Sequence, residues 1–403
     1  MGLVSPSAER VKDSPRDAQL DGLRGAAILA VVLYHATPVR SSDSLLERAA
    51  FALPWMGWAG VDVFFVLSGF LITRILLRER GATNYFAAFY ARRVLRIFPL
   101  YYLVLAFFLV AVPAADLFAS QRGLWLTDAR SPLWYVVFLG NGYDGVGGSF
   151  HHGVLAITWS LAIEEQFYAL WPLVVARVSD RRLETVCLAI AGLALAARGA
   201  AVAGGASWIL VYVVTPFRVD GLAIGAWLAL RSARPGGVEA LSRASRVALP
   251  VALALVAAFV GVLVVDPGDL VADRRATFLG HPLTQTFGYT ALAGMAGSLV
   301  AALVGASPSR PLRRVFESRA LRDLGRISYA LYLFHVPVIL AVKAWILDPR
   351  DSSLPYPVAQ ALYWVAVLVV GALASELSWW ALESRVLSLR RLVPFRHADL
   401  SRS

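Results

Sequence analysis

Two polar residues stand inside the first strongly apolar segment of this 403-residue chain. Arg24 and His35 are eleven positions apart in LDGLRGAAILAVVLYHATPV (20–39). At about 100° per residue, eleven steps return almost to the starting direction, so both side chains share one helix face, roughly 16 Å apart along the axis. A guanidinium binds anions, and an imidazole accepts protons. Because polar groups in a membrane span are costly and mark functional sites, this face is a candidate site.

The second apolar segment, GWAGVDVFFVLSGFLITRILL (57–77), carries an acidic residue near its start and a hydroxyl near its middle. If this segment runs antiparallel to the first, Asp62 lies at a depth similar to that of His35, with Ser68 deeper. A carboxylate beside an imidazole orients the ring and stabilises its charged form. We therefore expect Asp62 to assist His35, with a simple position near the membrane interface as the alternative.

Three arginines stand together in FYARRVLRIFPLYYL (89–103). Arg92, Arg93 and Arg96 lie within about one helical turn and are flanked by aromatic residues. Guanidinium groups offer planar, bidentate donors that suit phosphates, which favours a phosphorylated ligand. The alternative is that these arginines only mark a cytoplasmic loop.

A fourth polar cluster lies in ITWSLAIEEQFYALWPL (157–173), where Glu164 and Glu165 fall at the centre of a span. Buried carboxylates need cationic or hydrogen-bonding partners. The candidates are Arg218 in FRVDGLAIG (217–225) and His335 in ISYALYLFHVPVI (327–339). A structural ion pair that also involves Asp220, or a hydrogen-bonded core imidazole at His335, remains an alternative to a catalytic role.

The composition places these residues in a membrane protein. Hydrophobic residues make up 58% of the chain, charged residues 16%, and the mean hydropathy is +0.63. The sequence predicts an all-α, polytopic helical bundle. The net charge of +11 does not indicate nucleic acid, because Arg and Lys collect in short loops between apolar segments.

We expect a cytoplasmic tail at 1–19, a membrane domain at 20–381 and a cytoplasmic tail at 382–403. Presumed cytoplasmic segments hold 27 Arg and Lys against 7 in the outer ones, provided that 132–140 does not cross the membrane. This asymmetry predicts that both termini are cytoplasmic. The sequence predicts about ten spans: 20–39, 55–77, 97–115, 154–176, 183–203, 208–230, 247–265, 283–305, 327–347 and 358–381.

The sequence predicts neither a metal nor a permanently bound cofactor. Cys187 is the only cysteine, which excludes an intrachain disulfide and a cysteine metal cluster. His151 and His152 have no third ligand at suitable spacing, so we expect a solvated loop there. The N-terminus lacks a cleavable signal peptide, and the first span should be retained.

Several blocks together resemble the acyltransferase 3 family of integral-membrane acyltransferases. The blocks are LDGLRGAAILAVVLYH (20–35), GVDVFFVLSGFLIT (60–73), ARRVLRIFPLYY (91–102), TWSLAIEEQFYALWP (158–172), FRVDGLAIGAWLA (217–229) and LGRISYALYLFHVPVI (324–339). The family's Arg-x10-His pattern falls on Arg24 and His35, and its Arg-x-x-Arg pattern on Arg93 and Arg96.

This resemblance implies transfer of an acyl group, commonly acetyl from acetyl-CoA, to a hydroxyl of a glycan or glycosylated natural product at the bacterial plasma membrane. Arg93 and Arg96, with Arg24, would hold the phosphates of the acyl-CoA co-substrate at the cytoplasmic face. His35 would then act as general base or carry a transient acyl group. Ser68, a backbone amide and Trp159 are candidate oxyanion donors. Some members carry an extracytoplasmic SGNH-type domain, but we expect transfer without one here.

Other functions stay open at this stage. A proton-coupled transporter would also place His, Glu and Arg in the membrane, although the halves show no internal repeat. A non-catalytic sensor is a third class. The acceptor is equally open among envelope polysaccharide, peptidoglycan, a lipid-linked sugar and a macrolide-type metabolite.

Overall fold

The computed structural model describes residues 15–37, 45–112, 132–265, 281–305 and 308–397. Within these ranges the chain is almost entirely helical, and no β-sheet forms. This confirms the predicted all-α bundle. The tail before residue 15 lies outside the described residues. So do parts of the outer segments 40–54, 114–153 and 266–282, and the last residues of the C-terminal tail.

Seventeen α-helices are numbered in chain order among the described residues. They are α1 Pro15–His35, α2 Leu45–Trp55, α3 Gly60–Arg78, α4 Tyr85–Ala106, α5 Leu133–Val136, α6 Gly140–Gly147, α7 Trp159–Arg177, α8 Asp180–Ala203, α9 Trp208–Val213, α10 Asp220–Ala233, α11 Gly237–Val265, α12 Tyr289–Val304, α13 Arg310–Phe316, α14 Arg319–Arg326, α15 Ser328–Trp345, α16 Tyr356–Ser378 and α17 Ser384–Ser388. Short 3-10 helices occupy Met56–Ala59, Ala156–Thr158, Thr215–Phe217 and Leu389–Leu392, and π-helical turns occupy Phe107–Ala111, Thr284–Gly288 and Trp379–Glu383.

Seven helical stretches of the described chain are long and apolar enough to cross a membrane, which supports a polytopic protein. They are Ala49–Arg78, Tyr85–Ala111, Asp180–Ala203, Gly237–Ala258, Thr284–Val304, Ser328–Trp345 and Tyr356–Leu392. Helices α1 and α7 fall short of this measure because they carry Arg24, His35 and the two central glutamates. The count of ten spans and the cytoplasmic termini stay predictions.

The predicted span 208–230 is wrong as a single helix. Helix α9 ends at Val213, a 3-10 turn covers Thr215–Phe217, and α10 begins only at Asp220. Pro216 stands in this turn, and proline lacks the N–H that a continuous helix needs. Irregular backbone at membrane depth is tolerated only where protein buries it or it lines a cavity. The break therefore lies where Arg218 enters the protein interior.

Helix α3 is the centre of the bundle. It packs against α10, α12, α1 and α7. In the most apolar part of Ala49–Arg78, the stretch that contains α3, 67% of the residues are buried inside the protein. The corresponding share in α8 is 17%. The exposed apolar faces of the outer helices suit contact with lipid, while polar residues on α3 are held inside the protein.

Reciprocal glycines bring α3 and α10 into backbone contact. A Cβ on Gly69 would lie 2.0 Å from the Leu222 carbonyl oxygen, and a Cβ on Gly225 would lie 2.0 Å from the Val66 carbonyl oxygen. No side chain fits at these distances, so only glycine permits the crossing. Small residues at membrane helix crossings allow this close van der Waals packing.

Reciprocal glycines also bring α1 and α14 into backbone contact. A Cβ on Gly25 would lie 1.9 Å from the Leu321 carbonyl oxygen, and a Cβ on Gly325 would lie 1.9 Å from the Asp21 carbonyl oxygen. Arg24 is the neighbour of Gly25 in the chain. The close crossing therefore sets the position of the guanidinium at this end of α1.

Candidate functional site

Two histidines from distant parts of the chain meet inside the bundle. His35 is the last residue of α1, and His335 lies within α15. Nε2 of His335 lies 3.3 Å from Nδ1 of His35, and the ring centroids are 4.9 Å apart. His335 is fully buried, whereas His35 is partly exposed.

The hydrogen-bond partners of the two rings assign their neutral tautomers. Nδ1 of His35 lies 2.9 Å from the Val31 carbonyl oxygen, and Nδ1 of His335 lies 2.6 Å from the Tyr332 carbonyl oxygen. A carbonyl oxygen can only accept, so each Nδ1 carries a hydrogen. Nε2 of His335 then has a lone pair 3.3 Å from Nδ1 of His35, where it is a second, weaker acceptor for the hydrogen that Nδ1 donates to Val31. The lone pair of His35 is on Nε2, as a general base requires.

Asp62 has a different partner from the one that the sequence suggested. Its carboxylate forms a buried ion pair with Arg218, with 2.9 Å between Oδ1 and Nη2. The break between α9 and α10 brings Arg218 to the start of α3, where Asp62 lies. Arg218 therefore pairs with neither Glu164 nor Glu165. His35 is oriented by a backbone carbonyl and by His335 instead.

Aromatic rings surround the guanidinium of Arg218. Its central carbon lies 3.9 Å from the ring centroid of Tyr289. Cation–π contact compensates a buried cation for part of its lost hydration. Three further rings lie within 6 Å of the same carbon: those of Phe65, Trp159 and Tyr212. Trp159, an expected oxyanion donor, thus packs against the ion pair.

A second buried ion pair joins α8 to α10. Nη2 of Arg198 lies 2.9 Å from Oδ2 of Asp220, and the hydroxyl of Thr290 donates to the same oxygen at 2.7 Å. The guanidinium also donates to the Phe217 and Thr286 carbonyl oxygens. Arg198 is absent from the predicted site residues. A single arginine inside the apolar run of α8 was the available signal.

Five of the predicted residues line one cavity of about 120 Å³. Arg24 comes from α1, Ser68 from α3, Arg93 and Arg96 from α4, and Glu164 from α7. Its aromatic lining is formed by Phe64, Phe65, Tyr168, Tyr329 and Tyr332. Separate helices therefore supply an arginine-rich, partly aromatic chamber.

The carboxylate in this cavity is held by hydroxyl groups. Ser68 donates to Glu164 at 2.8 Å, and the Tyr168 hydroxyl donates at 3.0 Å. The Ser68 hydroxyl therefore donates its hydrogen to Glu164 and does not offer it to an oxyanion. Arg24 pairs with Asp21 at 3.1 Å and is partly exposed. One oxygen of Glu165 is buried without a hydrogen-bond partner among the described residues.

The guanidinium groups of Arg93 and Arg96 are available to bind an anionic ligand. Among the residues that the structure describes, neither guanidinium forms an ion pair with a carboxylate. The guanidinium of Arg93 lies 5.7 Å from the ring centroid of Tyr168. Carboxylates lie within electrostatic range, Glu164 and Glu165 of Arg93 and Glu383 of Arg96, but they form no ion pair with these guanidinium groups within the described residues. Both guanidinium groups can therefore still pair with an anionic ligand at this end of the cavity.

Tyr332 connects the cavity to the histidine pair. Its ring lines the cavity and lies 5.5 Å from the ring of His335, while its carbonyl oxygen accepts from Nδ1 of His335. The Tyr332 hydroxyl donates to the Ile157 carbonyl oxygen at 2.8 Å and lies 2.5 Å from the hydroxyl of Ser160. Tyr332 is not among the residues predicted from the sequence. Its position three residues before His335, on one helix face, was the signal.

The outer loop after α6 is more ordered than a solvated loop. Oδ1 of Asp144 accepts from Nδ1 of His151 and from the Tyr135 hydroxyl, both at 3.0 Å. Burial raises the pKa of Asp144, although these hydrogen bonds oppose the shift. His152 is buried as well, and burial lowers its pKa to about 4. No group of three metal-ligating side chains occurs within the described ranges.

The fold and the site define a class: a multi-pass membrane protein with a pair of histidines in contact beside an arginine-lined cavity. The chain belongs to the acyltransferase 3 family, since residues 17–380 match the acyltransferase domain by which that family is described. The resemblance seen in the sequence blocks is thereby confirmed.

Curated relatives cover 91% of the chain. It is 31% identical over 386 residues to the putative peptidoglycan O-acetyltransferase YrhL of Bacillus subtilis, and 27% identical over 384 residues to the peptidoglycan O-acetyltransferase OatA of Listeria monocytogenes. It is 26% identical to the O-acetyltransferase OatA of Staphylococcus aureus. The chain spans 54–56% of the length of these relatives. No solved structure matches it.

Proposed function

We propose that this protein transfers an acyl group, commonly acetyl, from acyl-CoA to a hydroxyl of a carbohydrate-containing acceptor. One observation carries the proposal: a cavity with two arginines that lack ion pairs is joined through Tyr332 to the His35 and His335 pair. A phosphate-bearing donor needs the arginines, and acyl transfer to a hydroxyl needs the base.

The donor would bind with its phosphates on Arg93 and Arg96, with Arg24 at the edge of the same cavity. Its pantetheine arm would then extend past Tyr332 toward His35. The aromatic lining suits the apolar part of this arm. Helix α1 has the length for the task, because Arg24 and His35 are roughly 16 Å apart along its axis.

His35 would act as general base through Nε2. The acceptor hydroxyl gives its proton to Nε2 while its oxygen attacks the thioester carbonyl carbon. Collapse of the tetrahedral intermediate breaks the C–S bond, and the imidazolium returns the proton to the leaving thiolate. During this step His335 accepts from Nδ1 of His35 and so stabilises the ring orientation. An acyl group held transiently on His35 would use the same atoms.

Peptidoglycan is the acceptor that the names of the relatives favour, since two of them are named as peptidoglycan O-acetyltransferases. The cell membrane places an outward-facing site next to this polymer. A macrolide-type or other glycosylated metabolite is the alternative acceptor.

Reconstituted transfer tests the proposal. Purified protein in nanodiscs is incubated with acetyl-CoA and soluble peptidoglycan fragments, and the products are analysed by mass spectrometry. We expect an acetyl increment on the fragments with wild-type protein and its loss in a variant that carries Arg93→Gln and Arg96→Gln. Acetylation by that variant at the wild-type rate would refute the donor site. Uptake of a solute without any acetylation would favour a transporter.

A further inference from the structure

The segment after α17 folds back over the beginning of α4. We call residues 389–397 the C-terminal strap. The Thr83 N–H donates to the Arg396 carbonyl oxygen at 2.8 Å, and the Arg396 N–H donates to Oδ1 of Asn84 at 2.9 Å. The amide of Asn84 donates to the Pro394 carbonyl oxygen at 2.9 Å. Three hydrogen bonds therefore fix the strap beside the arginines of α4.

Arg92 holds the strap in place. Its Nε donates to the Val393 carbonyl oxygen at 2.9 Å, and its guanidinium lies 5.1 Å from the ring centroid of Phe395. Beyond it, Nε2 of His397 lies within hydrogen-bond distance of Oε2 of Glu79, at 3.0 Å. Arg92 thus serves the strap, whereas Arg93 and Arg96 line the cavity.

The strap brings a further arginine close to the arginines of α4. Arg390 lies within electrostatic range of Arg92, Arg93 and Arg96. Its Nε is buried, and no hydrogen-bond partner for it occurs in the part of the chain that the structure describes. The same part of the chain shows no ion pair of Arg390 with a carboxylate. A buried donor without a partner beside like charges is costly unless an anion binds there.

We infer that the C-terminal strap completes the donor site and that Arg390 is a phosphate-binding residue alongside Arg93 and Arg96. The ligand is a donor with several phosphate groups, because three neighbouring guanidinium groups favour a ligand with more than one negative charge and pair well with phosphate oxygens. This inference rests on the proposed acyl-CoA-dependent function. It assigns the strap a role in donor affinity, and none in the chemistry at His35.

A charge-matched pair of variants tests the inference. Arg391 follows Arg390 in the same 3-10 helix and is exposed, so Arg391→Gln removes the same charge without touching the cavity. Binding of acetyl-CoA to wild-type and variant proteins in nanodiscs is measured by calorimetry. We expect Arg390→Gln to weaken binding about tenfold or more, as for loss of a charge-assisted hydrogen bond, and Arg391→Gln to change it less than about twofold.

An acyl donor without phosphates distinguishes a variant that has lost phosphate binding from one that has failed to fold. S-acetyl-pantetheine has the same thioester, so Arg390→Gln should leave its turnover unchanged if the variant is folded. Equal acetyl-CoA affinities for the Arg390→Gln and Arg391→Gln variants would overturn the inference. If wild-type protein binds acetyl-CoA and Arg96→Gln weakens it while Arg390→Gln does not, only the strap inference fails. No binding by wild-type protein would instead refute the proposed function.

The position of the strap can be tested independently through Asn84. Asn84→Ala removes two of the hydrogen bonds that fix the strap without changing any arginine. We expect a higher KM for acetyl-CoA with an unchanged kcat. An unchanged KM, with the strap shown by hydrogen exchange to be released, would contradict a role for the strap in donor binding.

Discussion

Nε2 of His335 lies 3.3 Å from Nδ1 of His35, and 300 positions separate the two residues in the chain. Each ring donates its Nδ1 hydrogen to a carbonyl oxygen on its own helix, which fixes the tautomer, and Nε2 of His335 faces Nδ1 of His35 as a second acceptor. The geometry gives His335 the orienting task that a carboxylate has in many acid/base sites.

The first prediction concerns His335 as a positioning residue. His335→Phe keeps an aromatic ring but removes the second acceptor for Nδ1 of His35 and leaves only the Val31 carbonyl oxygen, so the ring of the base is held less firmly. We expect kcat for acetyl transfer to fall about 100-fold, at the lower end of the contribution of a positioned base, with little change in KM for acetyl-CoA. His152→Phe makes the same replacement outside the site and is the control. A His335→Phe variant with normal kcat would rule out this role.

The second prediction concerns the ion pair of Asp62 and Arg218, whose side chains are 4% and 1% exposed. Asp62→Asn leaves a buried guanidinium without its counter-charge and should lower the free energy of unfolding by about 3 kcal/mol. Arg326→Gln removes one partner of an exposed ion pair with Glu376 and should cost less than about 1 kcal/mol. Denaturation in detergent micelles measures both. Similar losses of unfolding free energy in the two variants would show that burial does not determine how much the Asp62–Arg218 pair stabilises the protein.

The third prediction concerns the crossing of α3 and α10. Gly69→Ala forces a methyl group to within 2.0 Å of the Leu222 carbonyl oxygen, so the helices must separate. We expect a loss of about 2 kcal/mol of stability, typical of overpacking, together with lower activity. Gly192→Ala in α8 meets nothing within 4 Å and should be neutral or stabilising. Equal melting temperatures for the two variants would contradict the close crossing.

The fourth prediction concerns pH and the outer loop. Burial lowers the pKa of His152 to about 4 from its ordinary 6.5. Between these values the unfolded loop binds a proton that the folded loop does not, so stability is complete above pH 6.5 and falls as the pH drops toward 4. The hydrogen-exchange protection factors of residues 140–153, which are corrected for the intrinsic pH dependence of exchange, should therefore fall between pH 7 and pH 5. The His152→Phe variant should lose this component; the same fall in the variant would assign it to other groups.

Sequence periodicity and composition anticipated what lies within single helices. The spacing of Arg24 and His35 placed them on one face of α1, and hydropathy located the bundle. Contacts between different helices could not be predicted from the sequence in the same way. The partner of Asp62 depends on a break near Pro216, and periodicity could not reveal where the broken segment places Arg218. The C-terminal strap likewise depends on backbone contacts with α4, which leave no pattern in side-chain types.

The central claim is that His35 is the base of an acyl transfer reaction. The most direct measurement is the rate of acetyl transfer from acetyl-CoA to peptidoglycan fragments by reconstituted wild-type and His35→Gln proteins, with acetyl-CoA binding measured on the same samples. We predict that His35→Gln binds acetyl-CoA normally but transfers acetyl groups at least about 100-fold more slowly. Wild-type transfer by a folded His35→Gln variant would contradict it.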